Sequence, residues 1–228
     1  MEFSAGHTGR EQQIIDLCAA TFAASEGSEE GERIRTLVTG LLGMAPQEDV
    51  VVFCAQEGST LLGCVVVSRL RYDQDDRTVV VLAPVAVRTD RQGEGIGQQL
   101  LRYGLEALRG RGVDVVLTYG DPAYYGKVGF GQITEDVAPA PLPLSFPDGW
   151  LGQSLTDEPL TPLRGACCCV PALNSPEYWC LTTSPTTTPP QTCPTSGQIH
   201  AFSNALTCRS EVVVCCSIEL RLGSAAEW

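Results

Sequence analysis

Residues 82–130 read LAPVAVRTDRQGEGIGQQLLRYGLEALRGRGVDVVLTYGDPAYYGKVGF, and they decide the fold. The run opens with an apolar strand over 82–87 and passes through a polar, glycine-bearing loop. Ile96, Leu100, Leu101, Leu105 and Leu108 then recur on one stripe, which predicts an amphipathic helix over 96–109. Residues 113–119 (VDVVLTY) read as a buried strand, and after a crossover helix such a strand lies parallel to its sheet neighbour. A strand, loop, helix, strand unit makes the fold class α/β.

Upstream, apolar residues at helical spacing predict helices over 8–24 (Ile14, Ile15, Leu17, Cys18, Phe22) and 32–42 (Ile34, Leu37, Val38, Leu41), joined by a Gly/Ser/Glu-rich stretch. Strands are expected over 50–56, 61–71 and 77–87, and the short connections EGST and YDQDD make them an antiparallel meander. The order is α-α-β-β-β-α-β, a mixed sheet flanked by helices. Residues 138–149 (APAPLPLSFPDG) hold four prolines in twelve residues and are expected to be an extended loop, with one more strand over 163–170. Residues 182–198 are nearly all Thr, Ser, Pro and Gln and read as a flexible linker, and 211–222 (EVVVCCSIELRL) as an apolar strand with little company. The expected division is a domain over 1–179 and a tail over 180–228 whose role the sequence does not give.

The 228 residues carry 15 Lys and Arg against 27 Asp and Glu, a net charge of −12, and Lys127 is the sole lysine. That balance disfavours nucleic acid or an anionic membrane as partner and favours cationic or amine-bearing ones. No stretch reaches the ~18–20 apolar residues that cross a bilayer, and MEFSAGHTGREQQ has no secretory pattern, so the cytosol is the expected compartment. The 11 cysteines are odd in number and Cys167, Cys168 and Cys169 are consecutive. Strand neighbours face opposite ways, so these three do not converge on one ion; no metal site and mostly buried, reduced thiols are expected. His7 and His200 are the only histidines and suggest no Ser/His/Asp set.

The chemistry concentrates in Arg91, Gln92, Gly93, Glu94, Gly95, Ile96, Gly97 and Gln98, where a loop enters a helix N-terminus. Unpaired backbone N–H groups and the helix dipole attract an anion there, and glycines let the backbone approach a phosphate closely. Across 88–111, Arg88, Arg91, Arg102, Arg109 and Arg111 outnumber Asp90, Glu94 and Glu106, which makes the patch locally positive. A dinucleotide fingerprint would follow the first strand of a βαβ unit with G-x-G-x-x-G spacing, whereas this loop follows the third strand of a meander; no G-K-[ST] is present for a P-loop.

The run Gln92 to Gly97, Q-G-E-G-I-G, resembles the Q/R-x-x-G-x-G/A pyrophosphate loop of the GCN5-related N-acetyltransferases, the GNAT superfamily, which bind acetyl-CoA. LAPVAV stands where that family has its splayed fourth strand, and Pro84, lacking an N–H, suits an edge or bulged position. Tyr125-Gly126-Lys127-Val128-Gly129-Phe130 resembles the family's Y-x-K-x-G-F signature, and GDPAYYGKVGF with LAPVAV is similar to the YhbS-like branch of predicted N-acetyltransferases.

The resemblance covers residues 1–179 and implies the GNAT acyl-CoA N-acyltransferase fold. It implies an acetyl-CoA site at Val85, Ala86, Val87, residues 91–98, Tyr125 and Lys127, with free main-chain groups of Val85 and Val87 offered to the pantetheine arm. It also implies direct acetyl transfer to a primary amine, with Tyr125 as the general acid that protonates the leaving thiolate. A backbone N–H near Val85 and Ala86 would stabilise the developing oxyanion. Residues 79–87 contain no acid for the base found on this strand in many family members, and Asp121 before Pro122 reads as a helix cap ahead of a base. A small-molecule amine and a protein amine are both compatible acceptors, a homodimer is compatible with the family, and a noncatalytic CoA-binding module is the alternative.

Overall fold

The computed structural model describes residues 1–43 and 45–179; the expected linker over 182–198 and strand over 211–222 lie outside them. The elements run β1 (Glu2–Ala5), α1 (Glu11–Glu26), α2 (Ser28–Gly43), β2 (Val50–Glu57), β3 (Thr60–Tyr72), β4 (Val79–Val87), α3 (Ile96–Arg109), β5 (Val115–Tyr119), α4 (Pro122–Tyr125), β6 (Gly131–Gln132), β7 (Trp150–Ser154) and β8 (Cys167–Cys169). One eight-stranded sheet has the order β1-β2-β3-β4-β5-β7-β6, with β8 pairing β3. The crossover through α3 makes β4 and β5 parallel, as the sequence predicts; every other pair is antiparallel.

Side chains alternate across the sheet because a strand's residues point to opposite faces by turns. On β2, Val52 and Cys54 join the core shared with Ile14, Phe22, Ile34 and Leu37 of α1 and α2, while Phe53 and Ala55 join the core under Leu100, Leu101 and Leu105 of α3. Every residue of β4 is buried, since the strand is central and covered on both faces, which explains the continuous apolar run VVVLAPVAV. Each large apolar side chain so buried contributes about 1.5–3 kcal/mol.

Two irregularities position the site. In the β3–β4 ladder Val67 pairs with Leu82 and Val65 with Val85, so Ala83 and Pro84 together face Val66. Pro84 therefore stands in a bulge of a central strand, where its missing N–H breaks no ladder bond. Pairing of β4 with β5 ends at Leu82 and Thr118, so the last part of β4 keeps only β3 as a strand partner. The two parallel strands thus part at their C-terminal ends.

Helix α1 spans the sheet. Arg10, just before it, donates to Ser4 of β1 (3.3 Å) and Gln56 of β2 (2.7 Å). Cys18 lies 3.3 Å, sulfur to sulfur, from Cys64 of β3, and Thr21 donates to the Val87 carbonyl of β4 at 3.3 Å. The helix thus crosses the strands in their spatial order, from β1 and β2 to β4.

Among the described residues, the cysteines match their expected state in part. Cys18, Cys54 and Cys64 are buried free thiols, but Cys168 is exposed and Cys167 and Cys169 are half-buried on an edge. Burial pushes the Cys54 thiol up to about 11 and the Cys167 thiol up to about 12. No cluster of residues suited to a metal occurs among the described residues, nor any helix long and apolar enough to cross a membrane.

Candidate active site

At the parted ends of β4 and β5, the loop after β4 folds into the N-terminus of α3. Gly93 (φ 82°) and Gly95 (φ 76°) take left-handed backbone, which an L side chain adopts only under strain. Gly95 is the N-cap and supplies no side-chain cap, so the first N–H groups of α3 point outward without intrahelical partners. α3 is fixed beneath by Ile96, Leu100, Leu101, Leu105 and Leu108, and Gly104 lets it close on Phe53, where a Cβ would stand 2.9 Å from the ring.

A cavity of about 330 Å3 opens over these donors, lined by Val87, Arg91, Gln92, Gly93, Gly95, Ile96, Gly97, Gln98, Asp121, Ala123, Tyr124 and Lys127. Nine of the thirteen expected site residues line it. Val85, Ala86, Glu94 and Tyr125 do not, and Asp121, Ala123 and Tyr124 are additions. Asp121 caps α4, its carboxylate accepting from the Ala123 N–H at 2.8 Å, as the Asp-Pro pair predicts.

Tyr125 is fully buried. Its ring packs edge-on against Tyr124 (5.3 Å between centroids), which lines the cavity, and against Phe130 (5.5 Å). The Val87 carbonyl is not the free group the sequence reading expects: it accepts from Thr21 Oγ1 at 3.3 Å and from Gln92 Nε2 at 3.2 Å. Thr21, 66 residues earlier in the sequence on α1, was not legible from any motif.

The local positive charge is largely spent inside the patch. Arg88 pairs with Asp90 at 2.7 Å, Arg109 with Glu106 at 2.9 Å, and Arg91 with Glu94 at 3.0 Å and Glu57 at 3.1 Å. Hydrogen bonds from Arg91 hold the Glu57 carboxyl below the usual range. Lys127 is the cavity's cation without an ion pair among the described residues. A larger, more open hollow of about 540 Å3 lies beside α1 and the β2–β3 turn, bordered by the paired Arg88 and Asp90; no helix N-terminus opens into it, so it lacks the anion-binding geometry.

The family model described as "Acetyltransferase (GNAT) family" matches residues 13–130, from α1 through the loop and Tyr125 to Phe130. The chain belongs to the GNAT acetyltransferase family. It is 30% identical over 159 residues to the uncharacterized N-acetyltransferase YjhQ of Escherichia coli, covering 62% of this chain and 87% of that one. YhbS of the same organism, also an uncharacterized N-acetyltransferase, is 37% identical over 70 residues, 31% of this chain and 42% of its own.

Solved GNAT structures superpose on the fold. A GNAT acetyltransferase from Brucella melitensis in complex with acetyl-CoA matches with TM-score 0.56 and 25% identity over 76% of this chain and 97% of its own. Escherichia coli YhbS in complex with CoA matches with TM-score 0.60 and 20% identity over 76% and 92%. The mixed sheet flanked by helices is thus the GNAT fold.

Proposed function

We propose that the protein is an N-acetyltransferase that binds acetyl-CoA over residues 91–98 and transfers its acetyl group to a primary amine. The carrying observation is the cavity at the α3 N-terminus, where nine expected residues converge on outward N–H groups with Lys127 beside them. That donor set suits a diphosphate, since helix N-termini and a lysine bind phosphate oxygens. The acetyl-CoA complex of the Brucella melitensis relative supports the same ligand.

When bound, acetyl-CoA supplies an activated thioester; the chain's residues position it and handle charge and protons. Backbone N–H groups of residues 93–98 hold the diphosphate, and Gln92 keeps the loop against β4 through the Val87 carbonyl. The bulge at Ala83 and Pro84 re-aims the strand at Val85 and Ala86, whose main chain is the proposed donor to the carbonyl oxygen as it gains charge. The neutral amine forms a C–N bond to the acetyl carbon as the C–S bond breaks. Tyr125 gives a proton to sulfur and regains one from solvent, to which the nitrogen sheds its own, so the step ends in the amide and the CoA thiol.

Because Tyr124 lines the cavity and Tyr125 packs against it without lining it, the two phenols must be separated by experiment. Tyr125→Phe is expected to lower kcat by about 100- to 10,000-fold, the range of general acid catalysis, with CoA affinity unchanged. Tyr124→Phe is the control and keeps most of the activity. Equal rates for Tyr125→Phe and wild type would remove Tyr125 from the mechanism, and CoA binding with no turnover of any amine would mark a noncatalytic binding module.

A further inference from the structure

The buried thiols take no part in the proposed acetyl transfer, and two of them touch. Cys18 of α1 and Cys64 of β3 are both 0% exposed, with their sulfurs 3.3 Å apart. Both belong to the core that α1 and α2 form against the sheet. Cys54 of β2 stands opposite Cys64 in the β2–β3 ladder, but its sulfur donates to the Gly6 carbonyl at 4.0 Å. The thiols in mutual contact are therefore Cys18 and Cys64. A disulfide holds its sulfurs at about 2.05 Å, so closure asks for a movement of roughly 1.2 Å between a helix and the strand it covers.

Access decides when this pair reacts. The contact with Cys18, together with burial, pushes the Cys64 thiol up, so it stays protonated at neutral pH and inert while α1 is seated. The hollow of about 540 Å3 beside α1 supplies a way in. Its lining includes Leu17, Ala20 and Thr21, which flank Cys18 on the helix, and Leu61 of β3, the strand that carries Cys64. α1 also begins at Arg10 without a side-chain cap, an end from which local opening starts. A small oxidant in the hollow meets the two sulfurs when α1 lifts.

We infer that Cys18 and Cys64 are a redox modification site, a dithiol that a hydroperoxide converts into a disulfide pinning α1 to β3. The first sulfur takes one peroxide oxygen while its proton goes to the other; the O–O bond breaks, leaving a sulfenic acid and water. The second sulfur then attacks the sulfenic sulfur. The S–O bond breaks, the S–S bond forms, and the hydroxyl leaves with the second thiol's proton as another water. Two electrons pass from the sulfurs to the peroxide. The staple lies beside the end of β4: Thr21, one turn beyond Cys18, donates to the Val87 carbonyl, and Cys64 is in register with Ala86. Oxidation thus fixes α1 where it holds β4, and the inference stands independently of the acetyltransferase reading.

The test uses the reduced full chain, its accessible thiols blocked with N-ethylmaleimide under native conditions, and then hydrogen peroxide. Peptide mapping without reductant is expected to find Cys18 joined to Cys64, a link that dithiothreitol removes. Oxidised wild type is expected to melt about 4–16 °C above the reduced form, the shift a disulfide brings to a domain of this size. Cys54→Ala should keep both the link and the shift, and Cys18→Ala should lose both. If Cys18→Ala does not fold, slower exchange of α1 amides in oxidised than in reduced wild type reads the same staple. Wild type with Cys64 joined to Cys54, with no link at all, or with an unchanged melting temperature would overturn the assignment.

Discussion

Gly95→Ala isolates what the left-handed turn before α3 does. Gly95 has φ 76°, and a Cβ built there meets nothing nearer than Gln99 Nε2 at 3.8 Å, so the substitution brings strain without collision. Left-handed backbone costs an L residue about 1–2 kcal/mol. If the loop stays in place, the whole cost falls on stability, a loss of about 2–8 °C in melting temperature for a domain of this size. If the free loop relaxes to negative φ, the cost moves to ligand binding, because CoA must restore the turn, and affinity falls about 5- to 30-fold. Melting temperature and CoA calorimetry on the same preparation read both portions, and their sum is expected to recover the strain. A variant that melts like wild type and binds CoA equally well would refute the claim that this turn is required.

Two further outcomes follow from the ion pairs. Glu57→Gln frees Arg91 from one of its two carboxylates and is expected to tighten CoA binding modestly at neutral pH, an advantage that fades as pH falls through the lowered Glu57 value and the wild-type pair is itself lost; equal affinities at neutral pH would show that Arg91 stays clear of the ligand. Asp75 accepts from Arg77 Nη2 (2.7 Å) and Nε (2.8 Å for its Oδ1) and from the Arg77 and Arg164 N–H groups (3.1 Å each), which hold its carboxyl well below the usual range. Because the folded value is depressed, this stability is present above the ordinary carboxylate pKa of about 4 and is lost as pH falls through the folded value. Asp75→Asn is expected to cost on the order of 1–3 kcal/mol at neutral pH and to flatten the acid limb of a melting-temperature profile; parallel profiles would contradict it.

The parts of the fold legible in the sequence are those whose pattern is local. The stripe of α3 and the apolar run of β4 carry their own signature, and α3 and β5 together imply the parallel crossover. β1 was not legible: EFSA has no alternation, and its extended form rests on pairing with β2, where Glu2 meets Gln56 and Ala5 meets Phe53. β7, WLGQS, inserts between β5 and β6, a placement decided by Trp150 seating in the α1–α2 core and not by its neighbours. The strand expected over 163–170 shrinks to Cys167–Cys169 because only that segment meets β3. α2 begins at Ser28, four residues before the apolar pattern starts, since Gly31 packs against Ala19 and Ala23 and keeps the two helices in close contact. In the site, the glycine loop was legible because its geometry is written in backbone; Thr21 and Tyr124 were not, because tertiary contacts alone bring them near it.

The central claim is that the main chain between Gln92 and Gly97 holds the coenzyme's diphosphate. Calorimetric titration of CoA into wild type and Gly97→Asp tests it most directly, since the variant sets a carboxylate and added bulk against the phosphate oxygens at the mouth of α3. The account predicts saturable binding by wild type and its loss in the folded variant. Tight binding of CoA by Gly97→Asp, or no heat with wild type, would contradict it.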